Sequence, residues 1–182
     1  VLMAQVVLRY AGSWAALRGQ IPPEGAIIDV PPGDYDDPWQ ARTDGNILVR
    51  ALDPETPPIF RASVGSDIFG LNAPRGGLGI GILRLESLTI GPGGGDGVSL
   101  NKGRALVLDD CRVSGVSHGL QSGHDRTSTV VVRGSLFEAC RSHNLYLGRN
   151  RGFLFADSVS RAAGGSAVKS IALANVLQRN LV

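Results

Sequence analysis

The sequence predicts an all-β protein with the architecture of a right-handed parallel β-helix, a solenoid, and two observations support this prediction. Apolar residues recur with a fixed period of roughly two dozen positions, which is the signature of a repeat fold. Glycine is frequent, at 25 of 182 residues, whereas aromatic residues make up only 5%. This composition favours many short strands joined by tight turns over a bundle of helices.

The period is clearest in the second half of the chain, where five rows of residues repeat with spacings of 22 to 25 positions. The rows are Leu83, Leu106, Val130 and Phe153; Leu85, Leu108, Val132 and Phe155; Leu88, Cys111, Ser135 and Ser158; Ile90, Val113, Phe137 and Ser160; and Val98, Leu120, Leu145 and Val168. A unit of this length, with two or three short strands, fits one turn of a β-helix. Residues one period apart then stack about 4.8 Å from one another.

Two other architectures fit less well. A leucine-rich repeat needs a Leu-rich consensus and usually a helical return, which the segments 91–95 and 123–129 cannot supply. A β-sandwich alternates inward and outward residues but does not keep one register over four units. The glycine-rich tract 91–97 lacks the Lys-Ser or Lys-Thr end of a phosphate loop and is interpreted as a turn between strands. We therefore predict one β-helix domain over residues 1–182.

The first 80 residues repeat less clearly but contain recognisable elements. Ser13 is expected to cap a short helix over residues 14–17. The elements that follow are a strand at 26–30, a turn at 31–35, and strands at 46–51 and 59–62.

Ala26 through Tyr35, followed by the strand from Ile47 to Ala51, resemble the opening of right-handed parallel β-helix proteins of the pectate-lyase-like superfamily. In these proteins a short capping helix precedes an apolar strand and a Pro-Gly-x-Tyr turn. The resemblance implies a relation to lyases of acidic polysaccharides, including the chondroitinase and alginate lyase group, and also to epimerases, phage tailspikes and uncharacterised bacterial proteins. For the lyases it implies a lysine base, an arginine acid and in some cases calcium.

The period also predicts which polar side chains lie above one another. Segment 117–124 matches segment 142–149 at its Ser, His, Leu and Gly positions. With Leu120, Leu145 and Val168 pointing inward, the intervening residues point outward. The predicted outer columns are Ser99, Gln121, Tyr146 and Lys169 along the strand, His118 and His143 at its start, and His124 and Arg149 at its end.

This surface has the groups needed for eliminative cleavage of a uronate sugar. Such a reaction needs a cation for the carboxylate, a base and an acid. Arg149 is the candidate cation, and Lys169, Tyr146 and His143 are candidates for the base and the acid. The expected substrate-binding residues are Gln121, His118, His124 and Ser99. No cofactor is predicted, although calcium is a candidate at the acidic cluster of Asp34, Asp36 and Asp37.

Structural interpretations stay open beside the catalytic one. Outward polar residues of a β-helix commonly form a solvated face. Strict alternation from Leu145 turns His143 inward unless the turn breaks the alternation, and a histidine at a bend commonly binds backbone groups. On these structural interpretations, the chain is a non-catalytic glycan-binding or structural module of a larger surface or phage-type protein. In a third alternative, the remaining catalytic residues of a larger enzyme lie beyond Val182.

The charge distribution indicates which class of partner the chain binds, and the two cysteines are considered with it. Residues 1–100 contain 7 arginines against 11 acidic residues, whereas residues 101–182 contain 11 basic residues against 5 acidic ones. A basic second half suits an anionic partner such as an acidic polysaccharide. The arginines are dispersed, which predicts no nucleic-acid binding. Cys111 and Cys140 are interpreted as free thiols in or near the core.

The apolar runs and the C-terminal segment indicate what to expect about membrane spans, location and capping. No apolar run is long enough to span a membrane. No signal peptide is recognisable, and a periplasmic or extracellular location is expected. The apolar stretch 171–182 offers no polar cap for a solenoid. A further domain or subunit is therefore expected at the C-terminal end.

Overall fold

The computed structural model describes residues 6–63, 65–74 and 77–182, and in these the chain winds into a parallel β-solenoid. It completes six turns and begins a seventh. Each complete turn contributes one strand to each of three parallel sheets. The predicted fold class is confirmed.

The strands are numbered in chain order and grouped by sheet. Sheet I contains β1 (Val7–Arg9), β2 (Gly25–Val30), β5 (Asn46–Ala51), β8 (Ile82–Glu86), β11 (Ala105–Asp109), β14 (Thr129–Arg133), β17 (Gly152–Ala156) and β20 (Asn175–Gln178). Sheet II contains β3 (Asp34–Asp36), β6 (Ile59–Ala62), β9 (Thr89–Gly93), β12 (Arg112–Ser114), β15 (Leu136–Glu138) and β18 (Val159–Arg161). Sheet III contains β4 (Trp39–Arg42), β7 (Phe69–Asn72), β10 (Val98–Leu100), β13 (Leu120–Ser122), β16 (Leu145–Leu147) and β19 (Val168–Ser170).

The strand register confirms the repeat. Leu106 of β11 lies opposite Leu83 of β8 on one side and Val130 of β14 on the other. Phe153 of β17 continues that row. The side chains of these residues are buried, as period-two alternation requires of an inward-facing row.

The corner between sheets I and II is a single residue in the left-handed conformation. Ser87, Asp110, Gly134, Asp157 and Arg179 occupy it, with φ between 49° and 57°. Only glycine adopts this conformation without steric cost, and single Asp or Asn residues tolerate it better than most. The bend directs the next residue of each turn into the interior.

That next position forms a ladder of polar side chains in the later turns. The backbone N–H of Cys111 donates to Ser135 Oγ at 3.1 Å, and the N–H of Ser135 donates to Ser158 Oγ at 3.1 Å. The N–H of Ser158 donates in turn to Asn180 Oδ1 at 3.0 Å. Each rung satisfies a buried backbone donor that the sheets leave unpaired at the corner.

A short helix covers the N-terminal end of the solenoid. Helix α1 (Trp14–Leu17) begins after Ser13, whose side chain accepts a hydrogen bond from the Ala16 N–H at 3.3 Å, and it continues into a 3₁₀ turn at Arg18–Gln20. Trp14 and Leu17 are buried against the first turns. The predicted capping helix is confirmed.

Two segments interpreted as turns are partly strands. Asp34 and Tyr35 already belong to β3, and residues 91–93 belong to β9. The reason is that every complete turn contributes a strand to sheet II, and in the third turn Gly93 pairs with Ala62. Both cysteines are free and buried, as predicted, and burial raises the pKa of Cys111 to about 12 and that of Cys140 to about 11.

The helical content of the described residues is too small for a membrane span. No helix within 6–63, 65–74 and 77–182 combines the length and the apolarity that crossing a bilayer requires.

Candidate functional site

The predicted column of stacked positions lies on sheet III, and the column is longer than predicted. It contains, from the first turn to the sixth, Gln40, Gly70, Ser99, Gln121, Tyr146 and Lys169. The sequence period did not identify Gln40 and Gly70 as members of this column, because the early turns are longer than the later ones. Ser99 is only 3% exposed and its hydroxyl donates to the Phe69 carbonyl at 3.5 Å, so it contributes little to the surface.

A second column lies at the corner that precedes sheet III, two positions before each strand. Its members are Asp37, Asp67, Asp96, His118, His143 and Ser166. Several of these side chains accept a hydrogen bond from the backbone of the next turn. The Asp96 N–H donates to Asp67 Oδ1 at 3.1 Å, and the Ser166 N–H donates to His143 Nδ1 at 2.8 Å. The column therefore links consecutive turns, and it changes from carboxylates to imidazoles along the axis.

His118 is paired with a carboxylate that the sequence analysis did not identify. Its ring Nδ1 lies 2.8 Å from Asp96 Oδ1, and its backbone N–H donates to the same oxygen at 3.2 Å. The side chains of His118 and Asp96 are 23% and 15% exposed. The signal for this pair was the 22-residue spacing, which equals that of Val98 and Leu120.

His143 faces outward beside His118, as the predicted column requires, because the turn breaks the strict alternation that would have pointed it inward. The chain bends at Asn144, which is fully buried and takes the inward position instead. Its amide group donates to the Phe137 carbonyl at 3.2 Å, to Ser160 Oγ at 3.0 Å and to the Arg161 carbonyl at 2.9 Å. The bend therefore places an asparagine whose amide group is hydrogen-bonded in the interior and an imidazole on the surface.

Four side chains form one contact group on this surface, which we call the imidazole–tyrosine cluster: His118, His143, Tyr146 and Lys169. The rings of His143 and Tyr146 stack with centroids 5.3 Å apart and an angle of 13°. His118 lies 5.6 Å from His143 and 5.7 Å from Tyr146, centroid to centroid. Lys169 Nζ lies 5.0 Å from the Tyr146 centroid, within cation–π distance. Three consecutive turns thus contribute to one patch.

The electrostatics of the cluster favour a neutral His143. Partial burial lowers the pKa of His143 below its ordinary value, and its electrostatic interactions with His118 and Lys169 lower it further. Its Nδ1 already accepts a backbone N–H, so the proton of the neutral ring resides on Nε2.

His124 and Arg149 stack as predicted, but at the opposite end of the strands from the two clustered histidines. The Arg149 N–H donates to His124 Nδ1 at 3.2 Å, and both residues are exposed. Arg149 follows β16, whereas His143 precedes it. The predicted site residues therefore share one face but form two groups along it.

A cleft of about 910 Å³ lies at the N-terminal end of the same sheet, beneath helix α1. Trp14, Arg18, Asp37 and Arg42 are among the residues that line it. Asp37 accepts hydrogen bonds from the Tyr10 hydroxyl at 2.5 Å and from the Trp14 N–H. Burial raises the pKa of Tyr10, and the bond to Asp37 raises it further. The repeat pattern does not reveal this cleft because the capping helix creates it.

Two carboxylates of the acidic cluster considered for calcium have partners within the chain. Asp34 lies 3.4 Å from Arg61, and the Asp37 carboxylate is engaged by Tyr10 and Trp14. Across the described residues, no group of three or more His, Cys, Asp or Glu side chains is arranged to hold a metal ion.

The fold defines the class of protein as a parallel β-solenoid with a polar, partly aromatic outer face on one sheet. Comparison of the chain with protein-family models, with curated proteins and with solved structures finds no match.

Proposed function

We propose that the outer face of sheet III binds an acidic polysaccharide and that the imidazole–tyrosine cluster cleaves it by elimination beside a uronate carboxylate. The observation that supports this proposal is the contact of two imidazoles, a phenol and an ammonium group on one partly exposed surface. Elimination requires a cation, a proton acceptor and a proton donor. The cluster contains side chains of all three kinds.

The extent of the face suits a polymer better than a single sugar. The column from Gln40 to Lys169 contains one position from each of six turns, and its five intervals of about 4.8 Å correspond to about 24 Å along the axis. Lys169 and Arg149 are exposed cations toward its C-terminal end, where carboxylates of a chain would gain charge-assisted hydrogen bonds. Membership of the pectate-lyase-like superfamily and action in the periplasm or outside the cell belong to the same proposal.

A second candidate function is non-catalytic binding or a structural role in a larger protein. It is favoured by the use of both ring Nδ1 atoms in contacts between turns. His118 Nδ1 is bound to Asp96, and His143 Nδ1 accepts the Ser166 N–H. On this alternative the histidines stabilise the corner column, and the surface binds glycan without cleaving it.

The test is an assay of the chain against alginate, pectate and glycosaminoglycans, with and without added calcium. Binding is measured by calorimetry, and cleavage is measured by the ultraviolet absorbance of the unsaturated uronate. We expect Tyr146→Phe to lower the rate of elimination by about 10²–10⁴-fold. Lys169→Ala should weaken binding about tenfold or more, the loss of one charge-assisted hydrogen bond.

Arg61→Ala is the matched control because it removes a positive charge from sheet II instead of sheet III. Its side chain is 42% exposed and lies 3.4 Å from Asp34. Equal losses in Arg61→Ala and Lys169→Ala would indicate non-specific attraction and contradict the proposed face. Binding without any absorbance change would favour the non-catalytic alternative.

A further inference from the structure

The ring nitrogens of His118 and His143 are held in opposite hydrogen-bonding states by their neighbours. Asp96 Oδ1 forms hydrogen bonds with the backbone N–H and with the ring Nδ1 of His118. Because a carboxylate oxygen accepts hydrogen bonds, Nδ1 of His118 is the donor and carries the proton. The Ser166 N–H can only donate, so His143 Nδ1 accepts and carries no proton. The ring of His118 is thus hydrogen-bonded to the preceding turn, and the ring of His143 is hydrogen-bonded to the following turn.

The second nitrogen of each ring is available to a ligand. Within the described residues, neither Nε2 atom has a hydrogen-bond partner, and neither is among the fully buried unpaired atoms. In the neutral rings, Nε2 of His118 is therefore an acceptor at the surface and Nε2 of His143 is a donor. The two rings lie one turn apart, with centroids separated by 5.6 Å.

From this geometry we infer that His118 is the proton acceptor of the cluster, that Asp96 is its positioning residue, and that His143 is a hydrogen-bond donor to the ligand. The inference rests on the proposed function and assigns roles within it. It differs from the sequence expectation, in which Lys169, Tyr146 or His143 was the base and His118 bound substrate. Lys169 carries an ammonium group beside the Tyr146 ring, which suits a cation and not a proton acceptor.

The elimination step balances with these roles. The proton on the sugar carbon next to the carboxylate passes to His118 Nε2, and the electron pair of that C–H bond forms the new C=C bond. The glycosidic C–O bond breaks, and the leaving oxygen takes the proton of the Tyr146 hydroxyl. His118 Nε2 then returns its proton to water, and the Tyr146 phenolate takes one from water. His143 donates its Nε2–H to the carboxylate without transferring the proton, because the loss of its only ring proton would leave an imidazolate anion.

Nitrogen NMR of histidine-labelled protein tests the assignment directly. The chain contains three histidines, so each can be identified by a single His→Gln variant. In the neutral protein we expect the Nδ1–H form for His118 and the Nε2–H form for His143. His124 is an internal standard for the Nε2–H form, because its Nδ1 also accepts a backbone N–H. A His118 ring protonated on Nε2 would overturn the inference.

The role of Asp96 has a matched control one turn away. Asp67 accepts the Asp96 N–H in the way that Asp96 accepts the His118 N–H, but it touches neither imidazole through a hydrogen bond. We expect Asp96→Ala to abolish the preference of His118 for the Nδ1–H form and Asp67→Ala to leave that preference unchanged. If Asp96→Ala does not fold, Asp96→Asn retains an oxygen acceptor and should retain the Nδ1–H form. The same tautomer in Asp96→Ala as in the wild type would contradict the positioning role.

Kinetics separates this inference from the proposed function. We expect His118→Gln to lower the elimination rate by about 10²–10⁴-fold, and His143→Gln, whose amide still donates, to lose no more than about tenfold. Cleavage by the wild type with an equally active His118→Gln would overturn this inference alone. The expected tautomers in a protein that neither binds nor cleaves any glycan would overturn the proposed function, and the proton-acceptor role of His118 with it.

Discussion

The first and the later turns of the solenoid have different interiors. Six aromatic side chains fill the N-terminal turns, with ring centroids of contacting pairs 4.6 to 5.8 Å apart. They are Tyr10, Trp14, Tyr35, Trp39, Phe60 and Phe69. The later turns bury Ser135, Ser158, Ser160, Asn144 and Asn150. The N-terminal turns therefore pack aromatic rings together, whereas the later turns add hydrogen-bonded polar side chains to a core that still contains Phe137, Phe153 and Phe155.

Asn144 and Asn150 of this polar interior flank strand β16, which carries Tyr146 of the imidazole–tyrosine cluster. Asn144 holds the bend that turns His143 outward, and Asn150 donates to Ser128 Oγ at 2.7 Å where the chain leaves β16. A hydrogen-bonded network specifies one geometry more strictly than apolar contacts do, because each unpaired buried group is costly. The comparison suggests that the aromatic turns supply stability and the polar turns supply the positions of the surface groups.

Replacement of Trp39 should have the largest effect on stability. Its ring is buried and contacts those of Tyr10, Trp14, Phe60 and Phe69. Trp39→Ala is expected to lower the free energy of unfolding by about 3–5 kcal/mol, as large-to-small changes in aromatic cores do. Denaturant titration followed by circular dichroism measures the loss.

Trp39→Phe serves as the control because it keeps an aromatic ring in the cluster. It should cost clearly less than the alanine variant. A loss of less than about 1 kcal/mol in Trp39→Ala would show that the aromatic turns do not stabilise the fold in the way that core burial predicts.

Replacement of Asn144 should have the next largest effect. Asn144→Ala removes partners from buried groups at the bend, including the Cys140 N–H, which donates to its Oδ1 at 3.3 Å. We expect a loss of about 2–3 kcal/mol, since each buried group left unpaired costs about 1–3 kcal/mol. The same titration measures it, and NMR of His143 reports whether the ring keeps its position.

Asn101→Ala is the matched control, because Asn101 is an exposed asparagine at the far end of a sheet III strand. Its stability should stay within about 0.5 kcal/mol of the wild type, as for most surface substitutions. Equal losses of stability in the two variants would contradict the expectation that the buried Asn144 stabilises the fold more than the exposed Asn101 does.

The sequence predicted the columns of the solenoid well, because a strand alternates strictly and the period identifies which residues lie above one another. Tyr146 and Lys169 are opposite each other in the register, as the 23-residue spacing required. The corners were less predictable, since alternation ends where the chain bends. His143 lies at such a bend, and its orientation follows from the hydrogen bonds of Asn144, which no sequence period contains.

Asp96 was missed for a related reason. It lies in a glycine-rich tract that was interpreted as a turn, and its importance appears only when the next turn places His118 beside it. The cleft under helix α1 depends on how a non-repeating segment packs on the first turn. Periodicity predicts contacts between repeats, whereas contacts with the cap and within the corners require the folded chain.

The smallest expected effect is a dependence of stability on pH in the polar turns. The pKa of His143 is lowered from 6.5 in the folded chain, first by burial and then by electrostatic interactions with His118 and Lys169. Between the lowered value and 6.5 the unfolded chain binds more protons than the folded chain does. The free energy of unfolding therefore rises with pH across this interval and falls as the solution is acidified through it.

His143→Gln, which retains an acceptor for the Ser166 N–H, should show a shallower decrease in melting temperature than the wild type when the pH is lowered from about 7.5 to about 5.5. Glu138 and Asp157 do not interfere, because their pKa values are lowered from 4.5 and 3.8 by hydrogen bonds from arginines and their contributions are lost only below those values. Lys169→Ala should also reduce the decrease, since it removes one of the charges that lower the pKa of His143. A wild-type slope retained in His143→Gln would show that the acid sensitivity originates in groups other than His143.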